Sequence, residues 1–147
     1  MTAPPMEVIL RNTDYALRLM VSLAEHWDQH VVSTRQLAEE QDVSYPLACK
    51  LMQKLSGARL VRSAMGGKGG YRLSRPADEV TLLEIVTAIQ GPVHVNRCLL
   101  PDAGCSRRHA CCLCHKLHEV QDLMHRYMAG VTLQALLGDP EVANRSC

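Results

Sequence analysis

Five of the chain's seven cysteines fall between Cys98 and Cys114, and their spacing sets the chemistry to be explained. Met1 to Leu10 lacks the basic start and long apolar run of a secretory leader, so the expected location is cytoplasmic. Thiols stay reduced there, and clustered cysteines read as metal ligands or redox groups instead of disulfide staples. Cys98, Cys105 and Cys111 are separated by six and five residues; Cys112 and Cys114 follow at once, then His115 and His118. Thiolates favour soft metals, and cysteine-rich loops hold zinc or iron–sulfur clusters. Structural zinc sites use closely paired ligands two residues apart, and here only Cys111 and Cys114 make such a pair. The wider spacing of the first three suits a loop wrapped round a larger object. Pro101 and Gly104 let that loop reverse, and Arg107 and Arg108 offset the charge of several thiolates. A metal-free cluster of redox thiols is the competing reading.

A second chemistry lies upstream. The whole chain carries only +1, yet residues 33–75 hold eight Lys/Arg against three acids, a net +5. A locally basic segment in a near-neutral chain points to a polyanion-binding face. Leu47, Leu51 and Leu55 lie at i, i+4 and i+8, the buried stripe of a helix. The opposite face presents Tyr45, Cys49, Lys50, Gln53 and Lys54. Gln reads adenine bidentately, and Lys meets phosphate or guanine. Arg62, Lys68, Arg72 and Arg75 then flank or occupy a glycine-rich stretch, Gly66 to Gly70, where they would meet backbone phosphates or a minor groove. That stretch lacks the Gly-Lys-Ser/Thr ending of a phosphate-binding P-loop and precedes no helix, which argues against a nucleotide-cradling enzyme.

The elements that must position these groups follow from periodicity and capping. Ala16, Met20, Leu23 and Trp27 fit a first helix, with Thr13 as its N-cap. Ser33 to Gln36 fits a capping box opening a short second helix that buries Leu37 and Ala38 and ends near Gln41-Asp42. Ser44 caps a third helix, Pro46 is tolerated in its first turn, and Gly57 closes it as a glycine cap. Leu60-Val61-Arg62 and Tyr71-Arg72-Leu73 make a β-hairpin around the glycine loop. Thr81 to Glu84 is another capping box, opening a helix that stops at Gly91-Pro92. A final helix from about His115 to Ala129 carries Leu117, Val120, Met124, Tyr127 and Val131 at alternating steps of three and four, the seam of a short coiled coil and hence of a homodimer.

The expected fold is mainly α with a small β-hairpin wing: a winged helix-turn-helix head plus a long dimerisation helix. The divisions are 10–90 for the DNA-binding head, 91–114 for the cysteine-rich loop, 115–137 for the dimerisation and C-terminal helices, and 138–147 for a mobile tail. Aromatics are 3% of residues with no Phe, so the core must be Leu, Val, Ile, Ala and Met. No apolar stretch approaches membrane-spanning length. No nucleophile–base pair or nucleotide fingerprint supports an enzyme.

These features resemble the IscR/NsrR-type iron–sulfur transcription regulators across about residues 10–137. The likeness rests on Thr13 to Arg18, on Ser63-x-x-Gly66-x-x-Gly69-Gly70-Tyr71-x-Leu73, on Thr81-Leu82-x-Glu84-Ile85-Val86, on the three spaced cysteines with Leu113 and Leu117, and on Thr132-Leu133. The resemblance implies a homodimer on a double-stranded DNA operator, with Cys98, Cys105 and Cys111 binding a 2Fe–2S or 4Fe–4S cluster. It also implies that loss, oxidation or nitrosylation of the cluster changes operator affinity. The Thr13-to-Arg18 run is most similar to the nitric-oxide-responsive NsrR branch, which implies a repressor with Asp14 as fourth ligand; Cys112, Cys114 and His115 are the alternatives. Two departures stand out. Met65 replaces the arginine common before the first wing glycine. Moving the third ligand to Cys112 would bring His115 to the histidine-ligand position of the IscR branch, and the two alignments exclude each other. The alternative function is a cluster-free winged-helix regulator using zinc or cysteine oxidation.

Overall fold

A computed structural model describes residues 7–27, 31–66 and 69–138. Six α-helices, α1 (Arg11–Glu25), α2 (Thr34–Glu40), α3 (Tyr45–Gly57), α4 (Leu82–Gln90), α5 (Cys112–Gly130) and α6 (Leu133–Leu137), two strands, β1 (Val61–Ala64) and β2 (Gly70–Leu73), and two one-turn 3-10 helices, Ala77–Glu79 and Arg97–Leu99, make up the regular elements among them. The expected class, helical with a two-stranded wing, is what the chain adopts. Its core is aliphatic: Leu19, Met20, Leu23, Leu37, Leu51, Met52, Leu55, Ile85 and Leu133 are all fully buried.

The tri-helical head forms where the capping logic placed it, with four corrections. Leu10, not Thr13, occupies the N-cap of α1; Thr13 is fully buried and donates its hydroxyl to Gln90 Oε1 at 2.7 Å. A capping hydroxyl satisfies free N–H groups of its own helix, whereas this one ties α1 to the end of α4. Trp27 follows helical spacing but lies in the turn beyond α1 and stays 47% exposed. Gly57 sits inside the last turn of α3, and the left-handed position belongs to Arg59 at φ +61°. There the Leu60 N–H donates to Leu55 O at 3.0 Å and the Arg59 N–H to Ser56 O at 2.9 Å. That pair of bonds is a Schellman closure. The same device makes the α2–α3 turn, with Asp42 at φ +51° and the Val43 N–H donating to Ala38 O at 2.9 Å. Ser33 accepts from the Gln36 N–H as expected, but the Gln36 side chain reaches Glu40 instead of completing the box.

The wing pairs Val61 with Leu73, Arg62 with Arg72, Ser63 with Tyr71 and Ala64 with Gly70. Val32 adds a third, one-residue strand through N–H···O bonds of 2.9 and 2.8 Å with Tyr71. This explains the glycine at position 70: a Cβ there would lie 2.2 Å from Val32 O. The hairpin is thus stitched to the segment that enters α2.

Thr81 and Glu84 form the complete expected capping box of α4, and Gly91 at φ +84° ends that helix. The extended residues 93–95 then run beside α5. Their polar backbone is satisfied by α5 side chains: the Val95 N–H donates to Gln121 Oε1 at 2.9 Å, and His125 Nε2 donates to Val93 O at 2.9 Å. Helix α5 begins at Cys112, three residues before the expected His115, with Cys111 as its N-cap. Cys114, Gln121 and Met128, seven residues apart, form its buried face. The expected seam therefore divides. Met124 packs against its own chain's Val86, Val93 and Met128, while Leu113, Val120, Leu123 and Tyr127 remain exposed on the outer face. An apolar arc wide enough to serve two surfaces reads as one stripe in sequence.

After α5 the chain returns to the head. The Leu82 N–H donates to Val131 O at 2.8 Å and the Leu133 N–H to Val80 O at 2.9 Å, while Leu133 enters the main core. Among the described residues no helix is long and apolar enough to cross a membrane. The expected tail beyond Gly138, with Cys147, lies outside the described residues.

Candidate functional site

Two groups of side chains carry the chemistry. The first is the basic face. Tyr45 opens α3, exposed, with the Arg35 guanidinium 4.8 Å from its ring centroid. The neighbouring Cys49 thiol pushes the Tyr45 phenol up from its usual range, against the pull of Arg35. Lys50 and Gln53 lie exposed further along α3. Lys54 is also exposed, but its ammonium donates to Ile89 O at 3.3 Å, at the carboxyl end of α4. That position suits a cation at a helix C-terminus.

On the wing, Arg62 and Arg72 stand directly opposite each other, both exposed. Lys68 lies outside the described residues. Met65 is fully exposed beside the loop. Arg75 is committed to Glu84 by an ion pair and so differs from the free phosphate-contacting side chain its charge suggested. Burial pushes the Glu84 carboxyl up, but the Thr81 N–H and Arg75 outweigh it and hold the group below the usual range. Arg35 was not singled out from sequence as a site residue. Its signal is the tight α2–α3 turn, which brings the first turn of α2 beside that of α3.

The second group is the cysteine loop. Cys98 lies in a one-turn 3-10 helix, Arg97–Leu99, and is half-buried. Cys105 is exposed between Gly104 and a run of turns. Cys111 is half-buried at the N-cap of α5, Cys112 is exposed, and Cys114 is buried one turn in. Burial pushes the Cys114 thiol up, and the nearby Cys98 and Cys111 thiols push the same way, opposed by Arg108. The turn bearing Cys98 packs on α5, so Cys98 lies near Cys114, while Cys105 is exposed on the loop. An open cleft of about 730 Å³ adjoins them, lined by Cys111, Cys112 and Cys114 with Arg108, His109, His115 and His118. Among the described residues no three His, Cys, Asp or Glu side chains stand ready around one metal ion. The donor chemistry nevertheless fits a thiolate-bound cluster: soft sulfur donors and a cation beside them.

Asp14 is exposed in the first turn of α1. Helix α1 packs chiefly on α2, α3, α4, α6 and β2. The rest of the Thr13-to-Arg18 run has structural work: Arg18 donates to Gln41 O at the end of α2, and Tyr15 lies between Arg11 and Arg18.

Comparison with known proteins agrees with this architecture. The family model "Rrf2: Iron-dependent Transcriptional regulator" matches residues 9–139. A putative HTH-type transcriptional regulator, ORF2, of Azotobacter vinelandii is 33% identical over 129 residues, covering 87% of this chain and 77% of the relative. The HTH-type transcriptional regulator IscR of Vibrio campbellii is 30% identical over 129 residues, 87% of this chain and 76% of the relative. Among solved structures, CymR, the global cysteine regulator of B. subtilis, superposes with a TM-score of 0.73 at 26% identity, over 90% of this chain and 97% of that one. These relatives are transcription regulators and not enzymes. With its winged helix-turn-helix head, basic recognition face and matched length, the chain belongs to the Rrf2 family of DNA-binding transcription regulators, of the IscR type.

Proposed function

We propose that the protein is a homodimeric repressor whose operator affinity is set by an iron–sulfur cluster held on residues 98–114, in the manner of the nitric-oxide-responsive branch. The observation that carries this reading is that the turn bearing Cys98 packs on α5, whose amino end brings Cys111, Cys112 and Cys114 to one open cleft. Cys98, Cys105 and Cys111 supply three thiolates, Cys105 arriving as the loop closes. The fourth ligand is Asp14 from the partner's α1, whose carboxylate is exposed and belongs to the Thr13-to-Arg18 run. Cys112, Cys114 and His115 are the competitors, and Cys114 is the one already beside Cys98 and Cys111.

A bound cluster supplies iron sites that oxidants and diatomic ligands alter. The chain's own part is mechanical. Gln121 and His125 hold residues 93–95 against α5, so tension in the loop is delivered to that helix. The outer face of α5, with Leu113, Val120, Leu123 and Tyr127, forms the dimer seam. Tyr45, Lys50 and Gln53 enter the major groove, Arg62, Arg72 and Lys68 meet the backbone, and Lys54 serves α4 as well as the phosphates.

The test is the visible spectrum of anaerobically purified protein before and after nitric oxide, with operator binding measured in both states. A brown protein that loses its bands and its operator affinity together supports the reading. A colourless protein that binds operator overturns the cluster and favours zinc or thiol oxidation, which the closeness of Cys98 to Cys114 would serve. Ala at Asp14, Cys112, Cys114 and His115 in turn identifies the fourth ligand by which spectrum changes.

A further inference from the structure

A second cleft lies away from the cysteines, between the end of α1 and the wing, with a volume of about 320 Å³. That is the lower end of the range for pockets that enclose small molecules. Trp27 and Tyr71 supply aromatic surface, and the buried Leu23 and Leu73 supply apolar surface. Arg62 and Arg72 line the same cleft, paired directly across the hairpin. Among the described residues no carboxylate pairs with either guanidinium. Like charges directly opposite each other on a hairpin oppose its pairing, and an anion between them reverses that effect. The Ser74 hydroxyl, on the same wall, has no hydrogen-bond partner among the described residues.

We propose that this cleft is a binding site for a small planar organic anion, an aromatic carboxylate of about one ring. The ring lies on Trp27 and Tyr71, and the carboxylate accepts from Arg62 and Arg72. Guanidinium–carboxylate bonds are charge-assisted and geometrically matched. The aromatic and apolar surface distinguishes this occupant from a bare inorganic anion, which would gain nothing from it. A ligand so placed occupies the two wing arginines, which then cannot meet DNA phosphates. The protein would accept this second signal whatever the loop at residues 98–114 holds.

Trp27 is the chain's single tryptophan, so its indole N–H gives one assigned reporter at the cleft wall. The experiment titrates the full-length protein with benzoate and, separately, with inorganic phosphate, following that resonance by NMR. The expected result is a saturable shift with benzoate that phosphate does not reproduce. Arg72→Gln and Arg62→Gln, both exposed and outside the core, should each weaken benzoate by about tenfold, the loss of one charge-assisted bond. No saturable shift with benzoate overturns the proposal. Equal saturation by phosphate also overturns it, leaving a plain anion site, and so does unchanged benzoate affinity in both variants.

Discussion

Arg35 lies over the ring of Tyr45 with its guanidinium carbon 4.8 Å from the centroid, joining the first turn of α2 to the first turn of α3. A cation held on an aromatic face at the mouth of the recognition helix is placed to meet a phosphate while Tyr45 is kept upright. Arg35→Ala should weaken all duplex DNA similarly and reduce the salt slope by about one. Gln53→Ala should instead relax preference at one base position, at a cost of about 1–3 kcal/mol on the preferred sequence. Fluorescence anisotropy across a salt series, with specific and scrambled duplexes, separates the two. A sequence-specific loss for Arg35→Ala would move it from the backbone to the base edges.

Gly70→Ala should destabilise the head by about 1–3 kcal/mol, the usual cost of forcing atoms into filled space. Its new methyl would collide with the Val32 backbone at 2.2 Å and break the third strand. Urea unfolding followed by circular dichroism checks this, and amide exchange should show Val32 and Tyr71 losing protection first.

Arg59→Gly should act in the opposite direction. Arg59 holds a left-handed conformation at φ +61° that costs a side-chain-bearing residue about 1–2 kcal/mol. Glycine keeps both Schellman bonds without that cost. A higher urea midpoint is expected, and a lower one would mean that the arginine side chain holds the turn by a contact of its own.

Val120→Asp should give a folded monomer with reduced operator affinity. Val120 is 50% exposed on the outer face of α5, so its own chain does not need it. Met124→Asp should instead lower the melting temperature first, because Met124 packs on its own chain's Val86 and Met128 cluster. Sedimentation and thermal melts together distinguish the two. A Val120→Asp dimer of unchanged affinity would displace the seam.

Stability should fall as the pH drops below the ordinary carboxyl range. A hydrogen bond from the Ser22 hydroxyl is the chief cause holding Glu40 below 4.5; burial opposes it, while Gln36 and His26 assist. A group with a depressed folded-state pKa stabilises the fold above its unfolded value and loses that contribution as pH falls through the folded one. Glu40→Gln should be less stable at neutral pH and show a shallower acid slope, read from thermal melts at stepped pH.

Features written into a few neighbouring residues were legible in the sequence. The Thr81–Glu84 box and the α3 stripe, with Leu51 and Leu55 buried and Leu47 partly so, depend on residues within one or two turns, and the hairpin on the two strands flanking its own loop. Thr13 was misread because a buried threonine bonded to Gln90 has the same local sequence as a capping one. Arg75 looked like a free cation because its partner, Glu84, lies nine residues on in another element. Cys112 opens α5 without a capping side chain, so the helix start was invisible. The proximity of Cys98 to Cys114 depends on how the loop folds back onto α5, which spacing alone does not encode.

Helix α5 is fastened at both ends to different parts of the molecule. Its first turn carries cysteines, and its last residue is followed by the backbone bonds that tie Val131 and Leu133 to the start of α4. A straight helix of 19 residues spans about 28 Å and resists twisting. A small change at the thiol end would therefore reach the head as a turn of a stiff crank instead of being lost in a flexible linker. In a dimer built on the outer face of that helix, such a turn would alter the distance between two recognition helices, which an operator reads as spacing.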